Sequence, residues 1–169
     1  MSIFIHQENI KFEFPGGEEA FRVSDHFKLN QKSKKGTLPI DFLGTEFVQW
    51  FMDKVELPLV CPQRLWGHSF SRSVPDAHAV AELGEIRAEI FLREIYHFLM
   101  CADKYNDYVF HVRDTSGILR LVTVCWCNGW GIGADVIEDR LPWAIIHLRL
   151  SLAARTLQVT RGFLFACNL

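Results

Sequence analysis

Between residues 85 and 102 the apolar positions recur at helical spacing. Set at 100° per residue, Ala88, Phe91, Leu92, Ile95, Phe98, Leu99 and Ala102 share one side of the wheel, while Glu85, Glu89, Arg93 and Glu94 lie elsewhere. The stripe predicts an amphipathic helix lying on a core. Ala77, Val80 and Ala81 carry it back to Pro75. The helix therefore runs from 75 or 85 to about 103, in one piece or in two parted at Gly84, where glycine costs about 1 kcal/mol against alanine. Asn106-Asp107 is turn material and ends it. Glu89 and Arg93 stand four apart in the favourable order and are expected to pair on the helix surface.

After Asn106 the period changes from 3.6 to 2. Three alternating runs follow, Tyr108–Arg113, Ile118–Cys127 and Trp130–Ile137, divided by Asp114-Thr115-Ser116-Gly117 and by Asn128-Gly129. Gly117 suits a left-handed position, and Asn-Gly suits a type I′ turn, which needs positive φ at both central residues. A four-residue first loop sets Arg113 opposite Ile118; a two-residue second loop sets Cys127 opposite Trp130. One face then collects Tyr108, Phe110, Val112, Leu119, Leu121, Thr123, Cys125, Cys127, Trp130, Ile132, Ala134 and Val136, the expected core face beneath the helix. The second face collects Val109, His111, Arg113, Ile118, Arg120, Val122, Val124, Trp126, Gly131, Gly133, Asp135 and Ile137, a mixture of charges, one large aromatic, apolar floor and bare backbone.

The remainder is less regular. Ile3–Ile5 and Ile10–Phe14 predict an N-terminal strand or hairpin ended by Pro15-Gly16-Gly17. Glu18–Leu29 is ambiguous between helix and strand. Asn30–Gly36 is a polar, lysine-rich loop, and a solvated loop accounts for it better than an anion site. Thr45–Val55 predicts a helix capped by Thr45, with Phe47, Val48, Phe51 and Val55 on one face. Leu57–Val74, with Pro58, Pro62 and Gly67, predicts mostly irregular structure. Residues 142–157 fit a helix and a strand equally, and Gln158–Ala166 reads as a terminal strand. The expected fold is a single α+β domain spanning 1–169: an antiparallel meander over about 108–137, packed on the long helix, with an N-terminal β/α portion alongside.

Composition narrows the classes. With 169 residues the chain is long enough for one domain with a real core. Apolar residues make up 49 % and charged residues 22 %, and the net charge is −2, which excludes a surface built throughout for phosphate backbone. Fourteen Phe and five Trp exclude a disordered chain. Five cysteines at irregular spacing do not make a secreted disulfide framework. No charged leader precedes an apolar run, and no run is long enough to span a bilayer, so a cytoplasmic, reducing location and no membrane partner are expected.

Candidate chemistry is sparse. His97 and Cys101 are spaced i, i+4, and Cys125-Trp126-Cys127 places two sulfurs on one strand face, the raw material of a tetrahedral zinc site. The expected register points those sulfurs at the stripe centred on Ile95, well around the wheel from His97 and Cys101, so no metal is expected. Buried, inert thiols are the plainer account. A thiol nucleophile at Cys125 or Cys127 needs a histidine base, and His111 lies on the opposite face. Glu94 and His97 have di-iron spacing without the second pair such sites require. Asp114-Thr115-Ser116-Gly117 is a turn, and Trp130-Gly131-Ile132-Gly133 lacks the third glycine and following helix of a dinucleotide fingerprint. Its glycines instead make room on the second face.

The residues expected to carry function are therefore His111, Arg113, Arg120 and Trp126, because arginines and aromatics anchor interfaces. The leading expectation is a non-catalytic module that binds another protein through this face, with no cofactor. The alternatives are a small Cys/His- or zinc-dependent hydrolase or transferase, and a face that stacks single-stranded nucleic acid. If other parts of the chain cover the face, the arginines are left at its rim.

Overall fold

A computed structural model describes residues 4–29, 36–59, 63–70, 75–105, 107–137, 149–152, 158–160 and 163–165. The elements in chain order are β1 (Phe4–Phe14), β2 (Phe21–Arg22), α1 (Val23–His26), β3 (Ile40–Leu43), α2 (Thr45–Phe51), β4 (Val55–Glu56), β5 (Gln63–Phe70), α3 (Asp76–Leu83), α4 (Glu85–Ala88), α5 (Leu92–Leu99), β6 (Asp107–Arg113), β7 (Leu119–Trp126), β8 (Trp130–Asp135), β9 (Arg149–Leu152), β10 (Gln158–Thr160) and β11 (Phe163–Phe165). The fold is α+β. Its main sheet has seven strands in the order β1-β5-β9-β6-β7-β8-β3. It is mixed rather than antiparallel, because β9 runs parallel to β6 and β3 parallel to β8. The β6–β7–β8 meander forms its centre. Residues 57–74, expected to be mostly irregular, contain the eight-residue β5, which pairs with the whole of β1 apart from a bulge.

The meander is present, but β7 is turned over relative to the expected register. Arg113 pairs with Leu119 rather than Ile118, and Trp126 rather than Cys127 pairs with Trp130. Each hairpin is displaced by one residue, so β6 and β8 keep their expected faces and only the central strand flips. Both loops have a local cause. Asp114 Oδ1 accepts the N–H groups of Ser116 and Ile118 at 2.8 and 2.9 Å, and Asp114 N–H reaches Ile118 O at 2.8 Å. The first loop is thereby closed one residue later. In the second, Cys127 N–H donates to Gly129 O at 3.0 Å, and Asn128 adopts φ 66° while Gly129 does not take positive φ. Gly129 is needed for space instead: a Cβ there would lie 2.3 Å from Asp41 Cγ. The flip has an energetic logic. It turns Val122, Val124 and Trp126 inward in place of Leu121, Thr123 and Cys125, exchanging a hydroxyl and a thiol for β-branched and aromatic side chains.

The predicted stripe is real, but the long helix is not. Gly84 has φ 77° and ends α3; a second break follows at Glu89–Phe91, where the backbone becomes extended. That break is tertiary. Glu89 bridges to His111, and Ile90 N–H donates to His111 O at 2.8 Å, extending the edge of β6 beyond β9. Ala88, Leu92, Ile95, Phe98 and Leu99 are buried as the periodicity implies. The expected Glu89–Arg93 pair does not form. Glu89 turns to Arg113, and Arg93 to backbone carbonyls. In α2, Gly44 rather than Thr45 holds the capping position, and Val48 and Val55 are exposed.

One core joins α1, α2, α5 and the first face of the sheet. Phe27, Phe47, Phe51, Ile95, Phe110, Val122 and Ile132 are all fully buried in it. Phe98 meets Tyr108 and Phe110 edge-on, with ring centroids 5.0 and 6.0 Å apart. Each such side chain contributes about 1.5–3 kcal/mol by burial. The small sheet of β2 and β4 packs at the start of α5, where Arg93 donates to Gly17 O at 3.1 Å and to Glu19 O and lies over the Phe21 ring. Residues 30–35 of the expected lysine-rich loop, and most of 142–157, which the sequence left open, lie outside the described residues. Arg149–Leu152 is strand, and Gln158–Thr160 pairs with Phe163–Phe165 as a short hairpin.

Candidate functional site

The turned-over β7 decides what the second face presents. Reading across β6, β7 and β8, one row is Asp107, Cys125 and Gly131, the next Val109, Thr123 and Gly133, the next His111, Leu121 and Asp135. Phe42 on the edge strand β3 continues the first row beside Gly131. The packing agrees with this grid: a Cβ at Gly131 would lie 3.3 Å from Cys125 Sγ and 4.0 Å from Phe42 Cβ, and one at Gly133 would lie 3.0 Å from Thr123 Oγ1. The β6 side of the face is buried at Val109, His111 and Leu121, whereas the β8 and β3 side is open, with Cys125 and Asp135 exposed and Phe42 61 % exposed. Between the two sides lies a cavity of about 320 Å³ lined by Asp107, Val109, Leu121, Thr123, Cys125, Gly133 and Asp135. Gly133 lines the cavity, and Gly131 leaves bare backbone beside it, next to Cys125 and Phe42.

The four residues singled out by sequence do not form one surface. His111 and Arg113 lie on the second face, while Arg120 and Trp126 lie on the first, toward the core. Arg113 donates to Glu85 and Glu89 at 2.8 and 3.1 Å and to Gly117 O at 3.0 Å, and the two carboxylates, Glu85 first, raise its pKa further. Arg120 donates to Asp114 at 2.8 Å and its guanidinium covers the Trp50 ring at 4.1 Å. Burial pulls the Asp114 pKa upward, but hydrogen bonds from Arg120, Ile118 and Ser116 outweigh it and the net shift is down. Trp126 stands edge-on to Trp130 at 5.1 Å and carries Lys104 Nζ 4.0 Å from its ring centre. His111 is fully buried, neither ring nitrogen has a hydrogen-bond partner among the described residues, and burial lowers its pKa to about 4, so the ring is neutral at physiological pH.

The thiols are likewise redistributed. Cys125 and Cys127, expected to be buried, are exposed because β7 faces the other way. Cys125 is on the sheet face opposite α5, so the sheet separates it from His97 and Cys101. Cys101 is bound to its own helix, donating toward Phe98 O at 3.3 Å, and burial pushes its thiol pKa up, away from nucleophilic use. Among the described residues no group of three or more His, Cys, Asp and Glu side chains converges as a metal site would require. Cys61 and Cys167 lie outside the described residues.

A second polar cluster was not foreseen. Glu56, nearly fully buried on β4, accepts the N–H groups of Leu92 and Arg93 at 2.8 and 2.9 Å and so caps α5 from another element. Lys54 Nζ stands 3.7 Å from Glu56 and donates to Arg113 O. Burial raises the Glu56 pKa despite those bonds, and burial lowers that of Lys54. A cavity of about 280 Å³ opens beside them among Val55, Leu57, Pro58 and Phe91. Its charged groups are already paired with one another or with backbone, which marks the cluster as a joint between β4, α5 and the meander.

Sequence reasoning missed Glu56, Asp107 and Thr123, and placed Asp135 on the second face without singling it out. Thr123 reaches that face once β7 is turned over, where it meets Gly133; Glu56 had no local signature, because the amides it caps are 36 and 37 residues away. No helix among the described residues is long and apolar enough to cross a membrane. Comparison with protein-family models, with curated proteins and with solved structures found no match in any of the three.

Proposed function

We propose that the chain is a non-catalytic binding module, that its working surface is the second face of the sheet around β7, β8 and β3, and that its partner is another protein. The observation that carries this reading is the open cavity beside an exposed aromatic on an edge strand: Phe42 is 61 % exposed and flanks the bare backbone of Gly131. An exposed aromatic beside a recess is the anchor-and-pocket arrangement on which interfaces concentrate their energy. The reading keeps the expected face and changes its residues, from Arg120 and Trp126 to Phe42, Thr123 and Cys125.

The alternatives have less support. Single-strand binding needs cations free to meet phosphates, but Arg113 and Arg120 are held by Glu85, Glu89 and Asp114, and two aspartates are among the residues that line the cavity. Cys/His chemistry needs a thiol within reach of an imidazole, and among the described residues no histidine lines the cavity beside Cys125.

Photo-crosslinking tests the reading. A benzophenone amino acid placed at Phe42 is expected to capture a discrete protein in cells, whereas the same group at Asp53, an exposed position away from this face, is not. Equal capture from both positions, or none from Phe42, would sink it.

A further inference from the structure

Asn128 stands exposed in the loop between β7 and β8 with φ 66°, and of the five asparagines in the chain it alone precedes a glycine. The pairing matters chemically as well as conformationally. A glycine nitrogen has no neighbouring Cβ to hinder its attack on the preceding side-chain amide, so Asn-Gly is the dipeptide at which a chain most readily cyclises on itself. The fold adds a second group. Asp41, on the edge strand β3, lays its carboxylate on this loop: a Cβ at Gly129 would overlap all three atoms of the Asp41 carboxyl group. Both oxygens therefore stand against the Cα bonded to the Gly129 nitrogen. A carboxylate held there is a base beside the proton that must leave. Asp41 is exposed like Asn128, so water reaches the pair.

We propose that Asn128 is a self-modification site, at which the chain converts the asparagine to isoaspartate with Asp41 as the base. The Gly129 nitrogen attacks Asn128 Cγ while its proton passes to the Asp41 carboxylate. The new N–Cγ bond closes a cyclic imide, the Cγ–Nδ2 bond breaks, and the proton leaves with Nδ2 as ammonia. Water then opens the imide. Cleavage of the N–Cγ bond gives aspartate, and cleavage of the bond from nitrogen to the main-chain carbonyl carbon gives isoaspartate. One water is consumed, one ammonia is released, and nothing is oxidised or reduced. The isoaspartyl backbone is a methylene longer in the loop that sets the β7–β8 pairing, and it carries a new carboxylate beside Asp41.

The test follows residue 128 in the full chain near neutral pH in dilute buffer, both folded and in urea. Conversion is read as the mass gain of its peptide, and isoaspartate by labelling with an isoaspartyl methyltransferase. Asp41→Ala is expected to slow conversion in the folded chain about tenfold, below the range of a buried catalytic base because this carboxylate is solvated. In urea, where Asp41 and Gly129 are no longer held together, the two chains are expected to react at one rate. Asp41→Asn, which keeps the shape and removes the base, is expected to match Asp41→Ala and keeps the test standing if alanine disturbs the loop. Equal rates in the folded parent and the folded variants, a difference that persists in urea, or an Asn128 that stays intact would each overturn the proposal. The outcome does not depend on whether the second face binds a protein.

Discussion

His111 is the residue that most clearly works against stability. Its imidazole is fully buried with neither nitrogen bonded, and such an orphaned polar group costs about 1–3 kcal/mol. His111→Leu is therefore expected to raise the urea midpoint by an equivalent of about 1–3 kcal/mol; a loss of stability would show that the ring's shape, not its polarity, is what the site selects. The same residue sets a pH dependence. Its folded-state pKa of about 4 lies below the ordinary 6.5, so the unfolded chain binds the proton more readily in the interval between them. The contribution is complete above pH 6.5 and falls by about 3 kcal/mol as pH drops through 4. Urea titrations of the two proteins from pH 7 to 4 should diverge by that amount. Parallel curves would exclude a neutral buried imidazole. By contrast Asp114, Arg113 and Arg120 each have partners, and the arginines' role in holding loops to helices explains why they are poor candidates for meeting anything else.

At the scale of elements, the joint at Glu56 is the clearest dependency. Glu56→Ala removes the acceptor for two helix-terminal amides and leaves the Lys54 ammonium half-buried without its carboxylate, so a loss on the order of 3 kcal/mol is expected. Hydrogen exchange should locate the damage at Leu92 and Arg93; an effect spread evenly over the molecule would argue against the cap. Elements also show where local information suffices. The helical stripe at Ala88–Leu99 and the alternation of β6 and β8 are properties of neighbouring residues, and both were legible. The face of β7 was not, because it depends on whether each hairpin has one more residue, and that is settled by the Asp114 carboxylate and by burial of Val122, Val124 and Trp126. The break at Glu89–Phe91 was illegible for the same kind of reason: its backbone hydrogen bond comes from His111, across the fold.

At the scale of the molecule the sheet is assembled mostly from distant segments, with Phe12 opposite Leu65, Ile40 opposite Trp130 and Tyr108 opposite Leu150. Among the described residues, β9 is the only strand joining β1–β5 to β6–β7–β8–β3 within it, through Gly67 and His68 on one side and Asp107 to Val109 on the other. A chain ended after Ile137 is expected to lose single-step unfolding, with tryptophan fluorescence and far-UV circular dichroism giving different midpoints in urea; coincident midpoints would mean that β9 is dispensable. Its place in the chain has a consequence for biosynthesis. On the ribosome, β5 and β6 are made long before the strand that separates them, so their facing edges emerge with unpaired amides and carbonyls. Until Arg149–Leu152 emerges, those edges are free to pair with each other or with a neighbouring nascent chain, and this interval is when a chaperone would be most useful to the protein.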